Sequence, residues 1–380
     1  MAACMPTEIL DSETRGEFLD KIDRLVRTLI DRGADVHATY STPISTLLCA
    51  AAQFAAPSTI NYLVGKGLSL RQSGCLHRLP IHYAAVNGRE NFEAVFQSDG
   101  DLLSTDIAGK NALHWAAQFG HVQTVEMILA RARTPEERRK RLNQPDVDGW
   151  TALCWALRLH TVANAEIYSE PYELTQTVQV MIEGGADTSI SCRMGGEDEL
   201  FTVLELAKLH SASDEIITLL KDAEAVRIAG SDDSGEGIAT RSIRPYKEQA
   251  YNCDICLNTI WGPVYECETC LDFNACKKCH GQINLYHGHL RLENGEPHAF
   301  KVIVDAEPEI LNPQERGFAS PNNSRKNSEV DNAAGGKGDG DEDAAVVDGT
   351  MEAIMNFSVD DDITEIGADD GASVRVWRSP

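Results

Sequence analysis

The chain is poor in aromatic residues, in basic residues relative to acidic ones, and in long apolar runs. Phe, Trp and Tyr make up 6% of its 380 residues, and 34 Lys and Arg face 59 Asp and Glu, a formal net charge of -25. A protein that neutralises nucleic-acid phosphates or an anionic bilayer needs the opposite balance, so neither direct nucleic-acid nor membrane partners are expected. No run reaches the roughly 18 apolar residues of a membrane-spanning helix. Residues Met1–Leu10 have no basic start and no apolar stretch, so no secretory signal is read there. Neither a G-x-S-x-G elbow nor a Walker phosphate loop occurs, and the Cys outside 253–279 show no pairing motif, so no catalytic residues are expected.

What is present divides into three kinds of sequence. Six of the eleven Cys fall within Cys253–Cys279, and Cys4, Cys49, Cys75, Cys154 and Cys192 are scattered. A secreted disulfide framework is not spread in this way. Paired C-x-x-C units in a chain without a signal read as metal ligands in a reducing compartment, which implies a cytoplasmic or nuclear location. From residue 305 onward eighteen Asp and Glu face six Lys and Arg, and aromatics are few. Such a segment buries too little apolar surface to offset the cost of ordering, so 305–380 is expected to be a disordered acidic tail. Gly230–Gly237 reads as a polar linker.

The first half repeats itself. Leu79–Ala85 (L-P-I-H-Y-A-A), Asn111–Ala117 (N-A-L-H-W-A-A) and Thr151–Leu157 (T-A-L-C-W-A-L) align, with His82 and His114 at 32 residues' separation. Leu25–Ile30 leads into Gly33-Ala34-Asp35, and Val178–Ile182 into Gly185-Ala186-Asp187. Gly at such a place supplies the left-handed residue that ends a helix. These runs resemble the T-P-L-H-x-A motif and the L-L-x-x-G-A-D close of ankyrin repeats, whose period is about 33 residues. The resemblance implies five to six units over 15–225, degenerate at the ends. Ala130–Arg141 and Leu159–Glu173 then read as insertions in loops. It also implies that His82 and His114 bond to the adjacent turn and are structural. Within the first insertion, Arg138–Arg141 reads as a solvated helix face, with a nuclear-import signal as the alternative. In the tail, Ser358–Asp362 suits an acid-directed kinase.

The Cys-rich segment reads Cys253-x-x-Cys256, Cys267-x-x-Cys270, Cys276-x-x-Cys279, then His287, His289 and His298. Three pairs give six sulfurs, two tetrahedral zinc ions need eight ligands, and two His complete the count. The run Cys270-Leu271-Asp272-Phe273-Asn274-Ala275-Cys276 and the closing His298-Ala299-Phe300 resemble the ZZ-type zinc finger. That resemblance implies interleaved ligation: Cys253, Cys256, Cys276 and Cys279 on one zinc, and Cys267, Cys270 and two His on the other. His298 is favoured by the H-x-F ending. His287 is favoured for the second place by its distance from Cys279, with His289 the alternative, and His280 is expected to be exposed. With every position filled by protein, both ions are expected to be structural. Zinc removal is expected to unfold residues 245–304 and leave the repeat helices largely intact.

ZZ fingers of several families hold a peptide's free amino end with acidic residues. The corresponding positions here are Asp254, Asp272 and Asn274, two carboxylates and an amide. The other reading has Asp254 and Asp272 supporting the zinc loops. The fold expected is mainly α: ankyrin repeats over 15–225, a linker over 226–246, a small zinc-stabilised α+β finger over 247–304, and the tail. The pairing resembles fungal multidomain ankyrin proteins with ZZ fingers and the Mind bomb ubiquitin ligases. A non-enzymatic adaptor with protein or peptide partners is expected. A ubiquitin-ligase component and a chromatin regulator reading histone tails are the alternatives.

Overall fold

Small residues and turn signals dictate the architecture. In the computed structural model the described residues are 15–39, 46–158, 173–194, 200–229, 242–304 and 310–311, apart from positions 75, 244, 271, 289 and 293. All lie within one unit, Met1–Gly317, and the other unit, Phe318–Pro380, lies outside the described residues. Cys4, Cys75, Leu271, His289, Gly230–Gly237, positions 159–172 and the tail motif Ser358–Asp362 are also outside them.

A single helix, α1 (Arg15–Asp31), precedes helix pairs α2 (Leu47–Phe54) with α3 (Pro57–Gly65), α4 (Pro80–Asn87) with α5 (Arg89–Val95), and α6 (Ala112–Gln118) with α7 (Val122–Ala130). After an inserted helix, α8 (Pro135–Leu142), come α9 (Ala152–Ala156) with α10 (Leu174–Glu183) and α11 (Val203–Leu209) with α12 (Asp214–Ala229). Ala50, Ala51, Ala52, Ala84, Ala85, Ala116 and Ala117 are fully buried, which lets neighbouring first helices approach closely. Gly33 and Gly185 hold φ of 94° and 99° after α1 and α10, the left-handed cap that their motif requires.

The turns before α6 and α9 are each built on an acid. Asp106 Oδ1 accepts from the N–H groups of Ala108 and Lys110, and Asp146 Oδ1 accepts from those of Asp148 and Trp150. Successive turns stack, with Ile107 N donating to Leu76 O and Val147 N to Ala108 O at 3.0 Å each. His82 and His114 lock the turns to the helices. Nδ1 of each accepts a backbone N–H at the start of its own helix, from Leu79 and Asn111. Nε2 of each lies 3.0 Å from the next turn's carbonyl, Ser104 or Gln144. Both rings are buried, and burial holds the His114 imidazole down at about 4. On α8, Arg141 departs from a solvated face. It is buried, donating to Ile128 O at 3.2 Å and pairing with Glu137 at 2.5 Å.

The second half is a set of short strands and one-turn helices. Strand β1 (Ser191–Arg193) pairs with β2 (Leu200–Thr202) ahead of α11, and β3 (Ser242–Ile243) pairs with β9 (Ile310–Leu311). Strand β4 (Glu248–Asn252) pairs with β5 (Thr259–Trp261), and β6 (Val264–Cys267) lies between β7 (Asn274–Cys276) and β8 (Phe300–Val304), all antiparallel. Helices α13 (Lys277–His280) and α14 (Ile283–Tyr286) follow β7. The buried apolar cluster is continuous from Ile22 through the repeats to Ile255, Ile260, Val264, Ala275 and Tyr286. Repeats and finger therefore share one core among the described residues. Zinc loss that unfolds the finger also strips a covering from the repeats.

Candidate metal centre

Tight turns bring the Cys pairs together. Between β4 and β5, Cys253 N donates to Asn258 O and Leu257 N to Cys253 O, both at 2.8 Å, and Leu257 takes φ of 61°. Between β6 and β7, Cys270 N points at Cys267 Sγ at 3.3 Å, Cys267 N donates to Phe273 O at 2.9 Å, and Asp272 takes φ of 51°.

Two four-residue groups result. Cys253, Cys256, Cys276 and Cys279 form one and Cys267, Cys270, His287 and His298 the other, with all ligand atoms of each group within 4.8 Å of one another. Bond lengths of about 2.3 Å for Zn–S and 2.0–2.1 Å for Zn–N put tetrahedral edges at about 3.8 Å for S–S, 3.5 Å for S–N and 3.4 Å for N–N. Here Cys256 Sγ and Cys276 Sγ are 3.9 Å apart. Cys267 Sγ lies 3.6 Å from both His287 Nε2 and His298 Nδ1, Cys270 Sγ lies 3.5 and 3.4 Å from them, and the two nitrogens are 3.2 Å apart. Both groups fit zinc in donor type and in size. His289 lies outside the described residues, and His287 stands in this group. Its ring packs on Phe273 at 4.4 Å between centroids. His280 is half-buried rather than exposed. It stacks on Tyr265 at 3.8 Å, and burial lowers its pKa.

Asp254, Asp272 and Asn274 meet on the finger. Asp254 Oδ2 accepts from Asn274 N at 2.7 Å, and Asn274 Nδ2 donates to Asp272 Oδ1 at 3.3 Å. The Asn274 Oδ1 atom is buried with no hydrogen-bond partner among the described residues. Burial pushes the Asp254 carboxyl up to about 6, against the N–H bond from Asn274 and with help from the Asp272 charge.

Sequence reasoning missed the bed on which the finger lies. Asp146 Oδ2 and Asp148 Oδ2, both on one repeat turn, pair with Lys278 Nζ of α13 at 3.1 and 2.6 Å, and all three side chains are at most 1% exposed. Burial works against the charge of Lys278, but these acids raise its pKa well above the ordinary value. The ammonium also lies over the rings of Trp150 and Trp155, at 5.3 and 5.0 Å. Gln282 Nε2 adds a bond to Asp148 Oδ1 at 2.8 Å. From the repeats, Arg78 donates to Ile255 O. Gln118 Nε2 donates to Cys256 O at 2.6 Å and to Asn258 Oδ1 at 3.0 Å, and Arg158 Nη1 donates to Cys256 Sγ at 3.5 Å.

These residues occupy repeat-equivalent places. Arg78, Lys110 and Trp150 precede His82, His114 and Cys154 by four positions; Tyr83, Trp115 and Trp155 follow them by one. All six are at most 2% exposed. Large aromatics at one place in three successive units were the available sign that something covers this face.

Comparison with known proteins agrees with this architecture. The ankyrin-repeat family model matches residues 94–169 as three copies, and the ZZ-type zinc finger model matches 247–291. Over 101 residues, 26% of this chain and 8% of the relative, the chain is 34% identical to human transient receptor potential cation channel subfamily A member 1. Over 138 residues, 36% of this chain and 7% of the relative, it is 28% identical to ankyrin repeat domain-containing protein SAT10 of Stachybotrys chartarum. The chain thus spans less than a tenth of either relative's length. Among the described residues, no helix is long and apolar enough to cross a membrane. The chain is a mainly helical protein that carries ankyrin repeats and a C-terminal ZZ-type zinc finger.

Proposed function

We propose that the chain is a non-catalytic interaction adaptor whose finger takes the free amino terminus of a peptide through Asp254, Asp272 and Asn274. One zinc is assigned to Cys253, Cys256, Cys276 and Cys279, and the other to Cys267, Cys270, His287 and His298. With four protein ligands on each ion, no position remains for water, so the zinc is structural.

The observation that carries the peptide reading is the unpartnered Asn274 Oδ1 beside two carboxylates. An ammonium has three N–H donors, and this corner offers it the carboxylates of Asp272 and Asp254, with the buried Asn274 Oδ1 behind them. The amide at 274 removes one charge but keeps an acceptor, and charge-assisted bonds to the two Asp provide most of the attraction. Asp272 is exposed and Asp254 partly so, which leaves the corner open to a ligand while Ile255 and Cys256 face the repeats.

Fluorescence anisotropy of the zinc-loaded full chain, with one short peptide carrying either a free or an acetylated amino terminus, tests this. The free peptide is expected to bind at least about tenfold more tightly, a difference of about 1.4 kcal/mol. Asp272→Asn is expected to remove most of that difference with zinc content unchanged. Equal affinity for both peptides rejects the reading.

A further inference from the structure

The two metal groups differ in charge. Four thiolates around a divalent ion leave a net charge of about -2, whereas two thiolates and two neutral imidazoles leave none. All four Cys of the first group are buried, and a buried charge without compensation is costly. The compensation stands on the repeats. Arg158 is 3% exposed, rests 5.4 Å from the Trp155 ring and donates to Cys256 Sγ at 3.5 Å. Lys110 is 2% exposed, with its ammonium 3.5 Å from the ring centroids of both Trp115 and Trp155. It donates to Gln118, which in turn donates to the Cys256 carbonyl at 2.6 Å. Among the described residues, neither Arg158 nor Lys110 forms an ion pair with a carboxylate, whereas buried Arg78 pairs with Asp106, and Lys278 with Asp146 and Asp148. Arg158, a buried cation with no carboxylate ion pair among the described residues, thus faces a buried site of negative charge, and Lys110, whose pKa burial pulls down to about 7 against the charge of Asp106, reaches that site only through Gln118.

The second group shows no such arrangement. Cys270 and His298 are partly exposed, and the His287 ring packs against those of Phe273, Phe300 and His298. A neutral metal site needs no countercharge.

We propose that Arg158, supported by Lys110, is the repeat-borne countercharge of the four-cysteine zinc site, so that the ankyrin repeats set how firmly this one metal is held. The proposal rests on the zinc assignment above. Groups outside the ligand shell that orient or neutralise ligands commonly change metal affinity by about 10–100-fold. Arg158 acts through Cys256 and is a positioning residue. Its guanidinium keeps its charge when desolvated, which suits a buried countercharge better than Lys does.

The test uses the full chain. Native mass spectrometry gives the number of zinc ions bound, and a competing chelator with a zinc-responsive dye gives their release rates. Wild type is expected to hold two ions released in two phases. In Arg158→Gln the slower phase is expected to accelerate about 10–100-fold, with the other phase unchanged. Lys110→Met is expected to move the same phase by less, and Arg158→Lys to restore part of the loss. Cobalt substitution identifies the affected site, because sulfur-to-cobalt charge-transfer bands differ between four-thiolate and two-thiolate coordination. Gln118→Ala removes docking hydrogen bonds without removing a charge. If it accelerates release as much as Arg158→Gln does, docking rather than charge controls the metal and the proposal fails. Two bound zinc ions with unchanged rates in Arg158→Gln also overturn it, and leave the ligand assignment standing. A wild-type chain that binds no zinc overturns both. If Arg158→Gln does not fold, Lys110→Met and Arg158→Lys carry the same comparison, and unchanged rates in both reject the proposal.

Discussion

The two ends of the finger face different surroundings. The four-cysteine end lies against the repeats, buried, with Arg158, Gln118 and Arg78 bonding to its loop. The cysteine–histidine end keeps Cys270 and His298 partly exposed and packs on the finger's own aromatics, Phe273 and Phe300. The first end is part of the repeat core, and the second is a finger in the ordinary sense. A single structural motif therefore has two settings: one ligand group lies at the contact with the repeats, and the other lies among the finger's own aromatic rings.

Cysteine replacement at the two ends breaks this comparison most severely. Cys276→Ser is expected to lower the thermal midpoint of the repeat helices by about 10 °C, since loss of a few kcal/mol shifts a 150–250-residue unit by about 2–4 °C per kcal/mol. Cys270→Ser is expected to lower it by less than about 3 °C on the same scale. Far-UV circular dichroism of both variants decides the matter, and equal shifts would mean that the ends do not differ.

Next in size is the buried charge cluster. Lys278→Met leaves Asp146 and Asp148 buried without their ammonium and is expected to cost about 3–5 kcal/mol in denaturant unfolding. Adding Asp148→Asn should recover part of that loss. A loss below about 1 kcal/mol would place the cluster among solvent-screened pairs.

A smaller, opposite effect is expected at His210. Its ring is buried near Trp150 and Tyr246, with no hydrogen-bond partner for either nitrogen among the described residues. Burial lowers its pKa to about 3, and the Arg158 charge adds to this. The unfolded chain takes up a proton on this ring near its ordinary 6.5, while the folded chain resists until about 3. Stability from this group is therefore complete above about pH 6.5 and declines as pH falls toward 3. His210→Phe should stabilise the protein by about 1 kcal/mol at neutral pH by removing the unpaired nitrogens, and should flatten the acid limb of the stability curve. An unaltered acid limb assigns that limb to other groups. At the bottom of the scale is Arg227→Ala, which breaks an exposed pair with Glu224 away from the finger. No measurable change in the unfolding midpoint is expected, which makes it the control for the rest.

Local signals were legible because each is written in a few neighbouring residues. The A-L-H-W-A-A run announces a first helix and its turn. Gly33 and Gly185 mark helix ends, and three C-x-x-C pairs mark knuckles. The choice of His287 was legible only as a preference, since it depends on how α14 returns the chain toward Cys267. The docking was not legible from pairs of residues. Arg78 and Ile255 are 177 positions apart, Lys278 and Asp148 are 130, and each is an ordinary residue in its own segment. Complementary charge carries no mark in one dimension. The trace that did exist was the recurrence of Tyr83, Trp115 and Trp155 at one repeat place, in a chain with only five Trp in all.

That aromatic row has a consequence for how the protein is made. The repeats emerge from the ribosome before the segment that covers them, and roughly 120 residues separate Arg158 from Cys279. At about 5–20 residues per second, the row stands uncovered for on the order of 6–24 seconds before the last cysteine of the first group exists. During that interval the nascent chain displays an apolar, cation-studded face of the kind that invites misassembly or a chaperone. If zinc binding completes the finger as proposed, metal supply would set how long each newly made molecule stays exposed in this way.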